Sequence, residues 1–356
     1  MSKLNLITGA TGQLGSHLVE QLRSAGERVR VLVRAGRDTT FLREQGAEIV
    51  EGDLRDAAAI ARAAEGADLV YHCAAKVSDW GAWKTFEEEV VASTRNVVAA
   101  CRAARTPRLL HVSSISVYGH PTAAGGERFN EDTPLGQGFW MWDYYPRAKL
   151  LAEQIAREYE ATTIVRPSWL YGPRDRVTIP RVIPALIERR VPIIGSGANF
   201  LNLIYVGDVA AGAILAANHP DAAGQAYNLS SEGEVTQRDL LNALTDALSL
   251  PRITKRVPYG LAIRFAWLKE AFARLAGSAK PPTITRRAIF LIGRSTSYST
   301  AKARAQLGWL PRVGVQEGVR RTLEWFVSQP ENRHLAIKLP ILTGVRDATG
   351  QDGVKA

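Results

Sequence analysis

The chain has 356 residues, 46% of them hydrophobic, and a formal charge of +10 at neutral pH, with a sequence pI near 9.7. That apolar fraction is enough for one large α/β unit with or without a smaller lobe, and it excludes a chain disordered throughout. The basic balance suits phosphorylated ligands or anionic lipid surfaces, whereas the lack of a dense basic run interleaved with aromatics argues against nucleic acid as a partner.

The two cysteines, Cys73 and Cys101, and the six histidines form no metal-ligand spacing, so no metal is expected and a reducing, cytoplasmic setting fits best. The chain opens on a strand rather than a signal peptide, and no apolar run reaches membrane-spanning length.

Lys3 to Ile7 (KLNLI) reads as a strand. Gly9, Gly12 and Gly15 follow at once, with Thr11, Gln13 and Leu14 between them, and an amphipathic stretch runs on through Ala25. Strand, glycine turn and helix in that order make a pyrophosphate site. The glycines allow a tight turn and close approach, and the first helical amides face the anion. Arg28 to Val33 is the second strand. Arg34 stands at its end and Arg37 beyond it, while the first acid, Asp38, is set back. Arginine there accommodates a 2′-phosphate, so NADP(H) is favoured over NAD(H).

Ala47 to Val50 is a third strand, followed by Gly52-Asp53-Leu54-Arg55-Asp56, in which Asp53 alone would read as a helix cap. Asp68 to His72 is the fourth strand. The small pair Ala74-Ala75 after it would let the backbone approach the adenosine half of a dinucleotide. Lys76 would reach a phosphate or the substrate, or lie in solvent. A long helix is expected over 85–104, then a fifth strand over Arg108–Val112 that ends in Ser113-Ser114. Such strand ends are where parallel sheets bind ligands.

The segment His120 to Asp143 is long for a connection, and Phe139, Trp140, Met141 and Trp142 make it aromatic. It reads either as a wall over a hydrophobic substrate or as packing on the core. Tyr145-Pro146-Arg147-Ala148-Lys149 then opens a helix ending near Tyr159. Its i and i+4 positions put Tyr145 and Lys149 on one face. Thr162 to Val165 and Ala226 to Leu229 are the remaining sheet strands. Helices are expected over 178–189, 236–248 and 315–326, and Asp208 is read as the cap of another. Arg256 to Ile292 mixes apolar and basic residues at helical spacing on both sides of Pro281-Pro282. That segment is an ordinary amphipathic lobe or a greasy lid able to touch a membrane surface.

The order of elements predicts an α/β chain: a Rossmann-type, doubly wound parallel sheet with a smaller, mostly helical C-terminal lobe. The expected division is a dinucleotide domain over 1–175, with 203–232 returning to it, a substrate lobe from 176–202 and 233–330, and a loose tail over 331–356. The chemistry expected centres on Ser114, Tyr145 and Lys149. An ammonium beside a phenol favours the phenolate, which makes Tyr145 an acid or base near neutral pH. Ser114 would hold the substrate oxygen.

The glycine spacing, the Ser114/Tyr145/Lys149 set and Arg166-Pro167…Tyr171-Gly172-Pro173 resemble the extended short-chain dehydrogenase/reductases, over about residues 3 to 328. The resemblance implies that Asp53 and Leu54 meet the adenine, that Ala74, Ala75, Lys76, Pro167, Tyr145 and Lys149 also meet the cofactor, and that Trp80 and Tyr171 lie with Ser114 on the substrate side. Val90 stands where the family usually has an asparagine, a departure that touches the support of the nicotinamide end. The segment from Ala74 to Gly81, the lobe at 256–292 and Tyr298 to Ala303 further resemble the 3β-hydroxysteroid dehydrogenase/isomerase group. The implied activity interconverts a secondary alcohol and a ketone on a bulky hydrophobic substrate. A nucleotide-sugar epimerase or dehydratase and a non-catalytic NADP-binding regulator are the alternatives. Peripheral membrane contact through 256–292 and a homodimer through helices near 85–104 and 145–160 complete the partners expected.

Overall fold

The computed structural model describes residues 2–120, 128–232 and 235–332. Strand β1 (Leu4–Thr8) is buried at all five positions, so its sequence is a continuous run, not an alternating one. Helix α1 (Gln13–Ser24) follows the glycine turn and buries Leu14, Leu18, Val19 and Leu22. The chain continues through β2 (Arg28–Val33), β3 (Glu48–Glu51), α2 (Ala57–Ala64) and β4 (Leu69–His72). After α3 (Ser93–Ala104) come β5 (Arg108–Val112), α4 (Tyr144–Arg157) and β6 (Thr162–Pro167), then α5 (Ile179–Ile187), α6 (Val206–Asn218) and β7 (Ala226–Leu229).

The seven strands form one parallel sheet in the order β7-β6-β5-β4-β1-β2-β3. The winding direction reverses between β1 and β4, so the carboxyl ends of those strands open a crevice where ligands bind in such sheets. One face is covered by α1 and α6, which pack Leu18, Val31, Val209 and Ala213 into one apolar cluster. The other face carries α2 and α3 over Ile60, Val97 and Leu109. This makes the three-layer sandwich expected for alternating strands and helices.

The second lobe is built from α5, α7 (Gln237–Ala247), α8 (Tyr259–Leu275), α9 (Arg286–Gly293) and α10 (Val315–Ser328). Its core joins Ile183, Leu201, Leu244 and Leu323. Helix α7 starts at a complete capping box, in which Thr236 and Asp239 each accept the other's amide.

Three local expectations are corrected. The helix expected over 85–104 is interrupted: a short turn at Trp83–Phe86 leads into a π-helical segment, Glu87–Ala92, before α3 begins. Val90 lies in that widened turn, buried with Ala148 and Ala152, and its carbonyl accepts the Thr94 hydroxyl at 2.7 Å. Asp53 does not cap α2; Asp56 does, accepting the Ala58 amide at 2.9 Å. Asp208 sits inside the first turn of α6, and its carboxylate accepts the Arg312 and Val313 amides, both at 3.0 Å. It ties the C-terminal segment to the start of α6 instead of capping the helix. Of the expected tail, residues 333–356 lie outside the described residues, as do 121–127 of the aromatic segment.

Candidate active site

Gly9 has φ of +74°, and a Cβ there would stand 2.7 Å from the Ala74 backbone nitrogen. A Cβ on Gly15 would stand 2.3 Å from the Gly9 carbonyl oxygen, so this position fixes how closely α1 approaches the turn. Gly12 is different. It is exposed, only the Gly9 carbonyl lies near its Cβ position, at 3.2 Å, and no side chain caps the helix it starts. The open amides of the first turn therefore face the crevice at the switch point, an arrangement that fits a dinucleotide pyrophosphate.

Around that cradle, Arg34 and Arg37 are exposed at the end of β2. Asp53 pairs with Arg55 at 2.9 Å, and that hydrogen bonding lowers its carboxyl to about 2. Leu54 offers its carbonyl to Asn96 and packs toward the α2–α3 cluster. Ala74 and Ala75 are half-buried behind Gly9, Lys76 stands over the Phe86 ring, and Pro167 ends β6. Gln13 donates to the Gly172 carbonyl at 3.1 Å, closing the rim of the crevice.

Ser113 and Ser114 follow β5 and point to opposite sides. The Ser113 hydroxyl is buried and donates to Glu153 at 2.6 Å. Glu153 in turn holds Arg166 at 2.6 and 3.1 Å. Burial raises the Glu153 carboxyl, but the bonds and charge of Arg166 outweigh it and keep it below the usual range. Arg166 also donates to the Tyr118 hydroxyl at 2.7 Å. The network locks α4 to β5 and β6 and leaves Ser114 as the serine that meets Tyr145. The Ser114 oxygen accepts the Ser116 amide at 3.2 Å, and Ser114 lies near enough to the Tyr145 phenol to pull its pKa down.

Tyr145 and Lys149 lie on one face of α4, but the expected charge relation is corrected. The Lys149 amine is 3% exposed and donates to the Val112 carbonyl oxygen at 2.5 Å. Burial lowers its pKa to about 8, against Cys73 and Glu153, which raise it. The phenol of Tyr145 is shifted up, not down. Burial raises it, Asp79 adds to the rise, and Arg287 and Ser114 pull against it. The cation acting on the phenol is thus Arg287, whose guanidinium carbon lies 5.1 Å from the ring centre.

Arg287 belongs to α9 and pairs with Asp79 at 3.1 Å. With Arg274, Arg286 and Trp142 it lines a narrow cleft at Tyr145 of about 20 Å³, room for about one water. None of these arginines was read from the sequence as a site residue. The signal was present: two arginines open α9, where the helix dipole disfavours cations. Each needs a local acid, and Glu270 and Asp79 supply them. Trp142 has φ of +73°, a strained backbone two residues before α4.

Trp140 and Trp142 do line this cleft, while Met141 is exposed. Trp80 is buried, donates to the Ser278 carbonyl at 2.9 Å and stacks on Arg274, so it joins the two lobes beside the cleft. Tyr171 is elsewhere. It packs into the second lobe's core against Gly318, with its hydroxyl directed to the Gly314 carbonyl at 3.5 Å.

A glycine cradle at the switch point and a serine–tyrosine–lysine set at the neighbouring strand end define a dinucleotide-dependent oxidoreductase of the extended short-chain type. The model of the NAD dependent epimerase/dehydratase family matches residues 5–230, and the chain belongs to that family. It is an NAD-dependent enzyme acting on CH–OH groups. It is 32% identical to 2-alkyl-3-oxoalkanoate reductase of Stenotrophomonas maltophilia (strain K279a), over 89% of this chain and 97% of that protein. It is 28% identical to sterol-4-alpha-carboxylate 3-dehydrogenase, decarboxylating, of Mus musculus, over 90% of each. Among solved structures, gox2253 superposes with a TM-score of 0.77 at 27% identity, covering 92% of this chain and 98% of that one. MoeE5 bound to UDP-glucose and NAD gives 0.68 at 26% identity, covering 90% and 97%.

Proposed function

We propose that the enzyme interconverts a secondary alcohol and a ketone on a bulky hydrophobic substrate, of steroid-like or long-chain 3-hydroxy or 3-oxo type. The observation that carries this is the placement of Tyr145 at a cleft lined by Trp140 and Trp142, with Ser114 close enough to influence its phenol. A bound nicotinamide dinucleotide supplies or takes the hydride. Tyr145 gives its proton to the carbonyl oxygen during reduction and recovers it during oxidation. Ser114, oriented by the Ser116 amide, holds the same oxygen as charge develops on it. Lys149 sits beneath the site, bonded to the end of β5, and poises it electrostatically. Arg34 and Arg37 favour a 2′-phosphate, hence NADP(H) before NAD(H).

The reductase and sterol dehydrogenase relatives support a lipid-like substrate by their names. So does α8, which leaves Leu261, Phe265, Leu268, Phe272 and Leu275 exposed on one face beside exposed Arg264 and Lys269. That stripe suits an anionic lipid surface from which such a substrate could be drawn. The second reading, a nucleotide-sugar epimerase, has two observations in its favour: the arginines of the cleft and the likeness to MoeE5 bound to UDP-glucose and NAD. Two of the three are already paired with carboxylates, which leaves little for a diphosphate.

The test is a screen of the purified enzyme with NADPH and NADH against steroid ketones, long-chain 3-oxo acids and UDP-sugars. Turnover of the hydrophobic ketones, abolished in Tyr145→Phe, is the expected result. Parent-level turnover in Tyr145→Phe, or turnover of UDP-sugars alone, would falsify the proposal.

A further inference from the structure

The cleft at Tyr145 has room for about one water, so no bulky substrate reaches the phenol while α8 and α9 stand over it. These two helices share a small core of their own, in which Ala262, Ala266 and Ile289 pack with Ile194 of the second lobe. Both ends of the pair are tied to that lobe. Arg256–Val257 pairs with Ile193–Ile194, and the Ile292 carbonyl oxygen accepts from Asn199 at 2.6 Å and from Gln237 at 2.7 Å. Toward the sheet domain the contacts differ in kind. The Arg274 guanidinium carbon lies 4.4 Å from the Trp80 ring, 4.9 Å from Trp142 and 5.3 Å from Tyr144. Arg287 pairs with Asp79 at 3.1 Å, the Thr285 hydroxyl donates to the same carboxylate at 3.1 Å, and Arg286 donates to the Met141 carbonyl oxygen at 3.0 Å. Phe290 meets the His120 ring edge-on at 4.6 Å. Among the described residues, no buried apolar cluster joins α8 or α9 to the sheet domain.

We propose that α8 and α9 form a lid that lifts to admit substrate to Tyr145, and that Arg274 is its latch. What the lid admits rests on the alcohol–ketone reading. Apolar packing inside the pair lets it move as one body, and its two tied ends serve as hinges. Polar and cation–aromatic contacts toward the sheet domain part without exposing a core. Arg286 does not resist opening through its ion pair, because its partner Glu270 lies on α8 and travels with it. Asp79 is one-third exposed, so its pair with Arg287 adds little. Arg274 is different. Three rings hold its guanidinium, while its buried Nε has no hydrogen-bond partner. The rings favour closure, and the unmet donor favours release into water. Closure also brings Arg287 to the Tyr145 ring, so that cation reaches the phenol only when the lid is down.

Hydroxyl-radical footprinting of the ligand-free full chain compares parent, Arg274→Met and Arg274→Lys. Tyr145 and Trp140, neither of which stacks on Arg274, should be labelled about 5-fold faster in Arg274→Met. The core residues Tyr71 and Trp309 should be unchanged, and Arg274→Lys should recover part of the protection. Binding of 4-androstene-3,17-dione, followed by tryptophan fluorescence, is the second readout. A latched lid makes the competent state a minority, so Arg274→Met should bind this ketone about 10-fold more tightly than the parent. Unchanged labelling of Tyr145 and Trp140 overturns the lid. An equal rise at Tyr71 and Trp309 overturns it too, since Arg274 would then support the whole fold. Weaker ketone binding by Arg274→Met makes Arg274 a ligand contact and overturns the latch. Faster labelling confined to the cleft, with the ketone bound by neither protein, supports the lid and overturns the hydrophobic-ketone reading.

Discussion

The guanidinium carbon of Arg287 lies 5.1 Å from the centre of the Tyr145 ring, so a cation carried by the second lobe bears on the phenol of the first. Burial lifts that phenol above its ordinary value of 10, and Arg287 and Ser114 recover only part of the shift. A protonated phenol suits proton donation to a ketone and must first ionise to serve alcohol oxidation. Ketone reduction should therefore be flat in pH through neutrality and fall only at strongly alkaline pH, while alcohol oxidation should climb over the same range. Removing Arg287 removes a lowering influence, so Arg287→Met should move the alkaline limb of both profiles upward. A reduction profile already falling near neutrality would contradict the protonated phenol.

Lys149 should carry a stability cost. Its folded pKa, about 8, lies below its ordinary 10.5. Between those values the unfolded chain binds the extra proton, so stability rises with pH across that window; below pH 8 the cost of burying the ammonium is present in full. Lys149→Met should accordingly lose turnover yet unfold about 1–3 kcal/mol later at pH 7, a gain that shrinks as pH approaches 10. Urea titrations of parent and variant at pH 7 and pH 9.5 check it. Destabilisation of the variant at pH 7 would mean that the bond to the Val112 carbonyl outweighs the burial cost.

Much of this was legible because local chemistry and global fold agree. The inner strands β1, β4, β5 and β6 were readable as largely apolar runs, since a parallel sheet is buried on both faces, whereas the edge strand β3 is exposed at both ends. Tyr145 and Lys149 were readable because i and i+4 share a helix face, and Ser114 from its place at a strand end. The rest depended on distant partners. Arg287 reaches Tyr145 only because Asp79, some two hundred positions away in the chain, holds it there. Tyr171 looked like a cleft residue because its neighbours Gly172 and Pro173 do face Gln13, yet its own ring turns into the other lobe's core. The π-helical turn at Val90 has no period that the alternation of apolar residues could reveal.

The glycine loop separates packing from binding. A methyl on Gly15 meets the Gly9 carbonyl oxygen at 2.3 Å, so Gly15→Ala must push α1 off the turn and should cost about 2–4 kcal/mol of stability along with cofactor affinity. A methyl on Gly12 meets the same oxygen at a tolerable 3.2 Å and otherwise projects into open space. Gly12→Ala should therefore keep the melting temperature within a few degrees while weakening dinucleotide binding about 10-fold or more. Calorimetry with cofactor titration distinguishes the two. Equal losses of stability would place Gly12 in the packing class as well.

Arg34 should set the choice of cofactor. It is exposed at the end of β2, and the nearest acid in sequence, Asp38, spends one oxygen on the Thr40 amide at 3.0 Å. Arg34→Ala should lower the NADPH-over-NADH ratio of kcat/KM by about 10-fold, the size of one charge-assisted phosphate contact. A ratio that does not move would remove the argument for a 2′-phosphate and leave NAD(H) as the better assignment.

Helix α8 carries the last prediction. Leu261, Phe265, Leu268, Phe272 and Leu275 recur at spacings of three and four and are 47–86% exposed, so one face of the helix is apolar and unsheltered. Exposed Arg264 and Lys269 add positive charge beside it. None of the described helices is long and apolar enough to cross a membrane, and an apolar stripe flanked by cations suits contact along a lipid surface. The protein should cosediment with vesicles containing about one third anionic lipid, less so with neutral ones, and less again at 0.5 M salt, roughly as expected when cations assist apolar insertion. The double variant Phe265→Asp and Phe272→Asp should release it at low salt without lowering the melting temperature, because neither ring is part of a buried cluster. Turnover of a detergent-dispersed ketone should be preserved in that variant while turnover of the same ketone in vesicles falls, which would locate the defect in delivery and not in chemistry. Equal cosedimentation of parent and variant would assign the apolar face to something other than lipid.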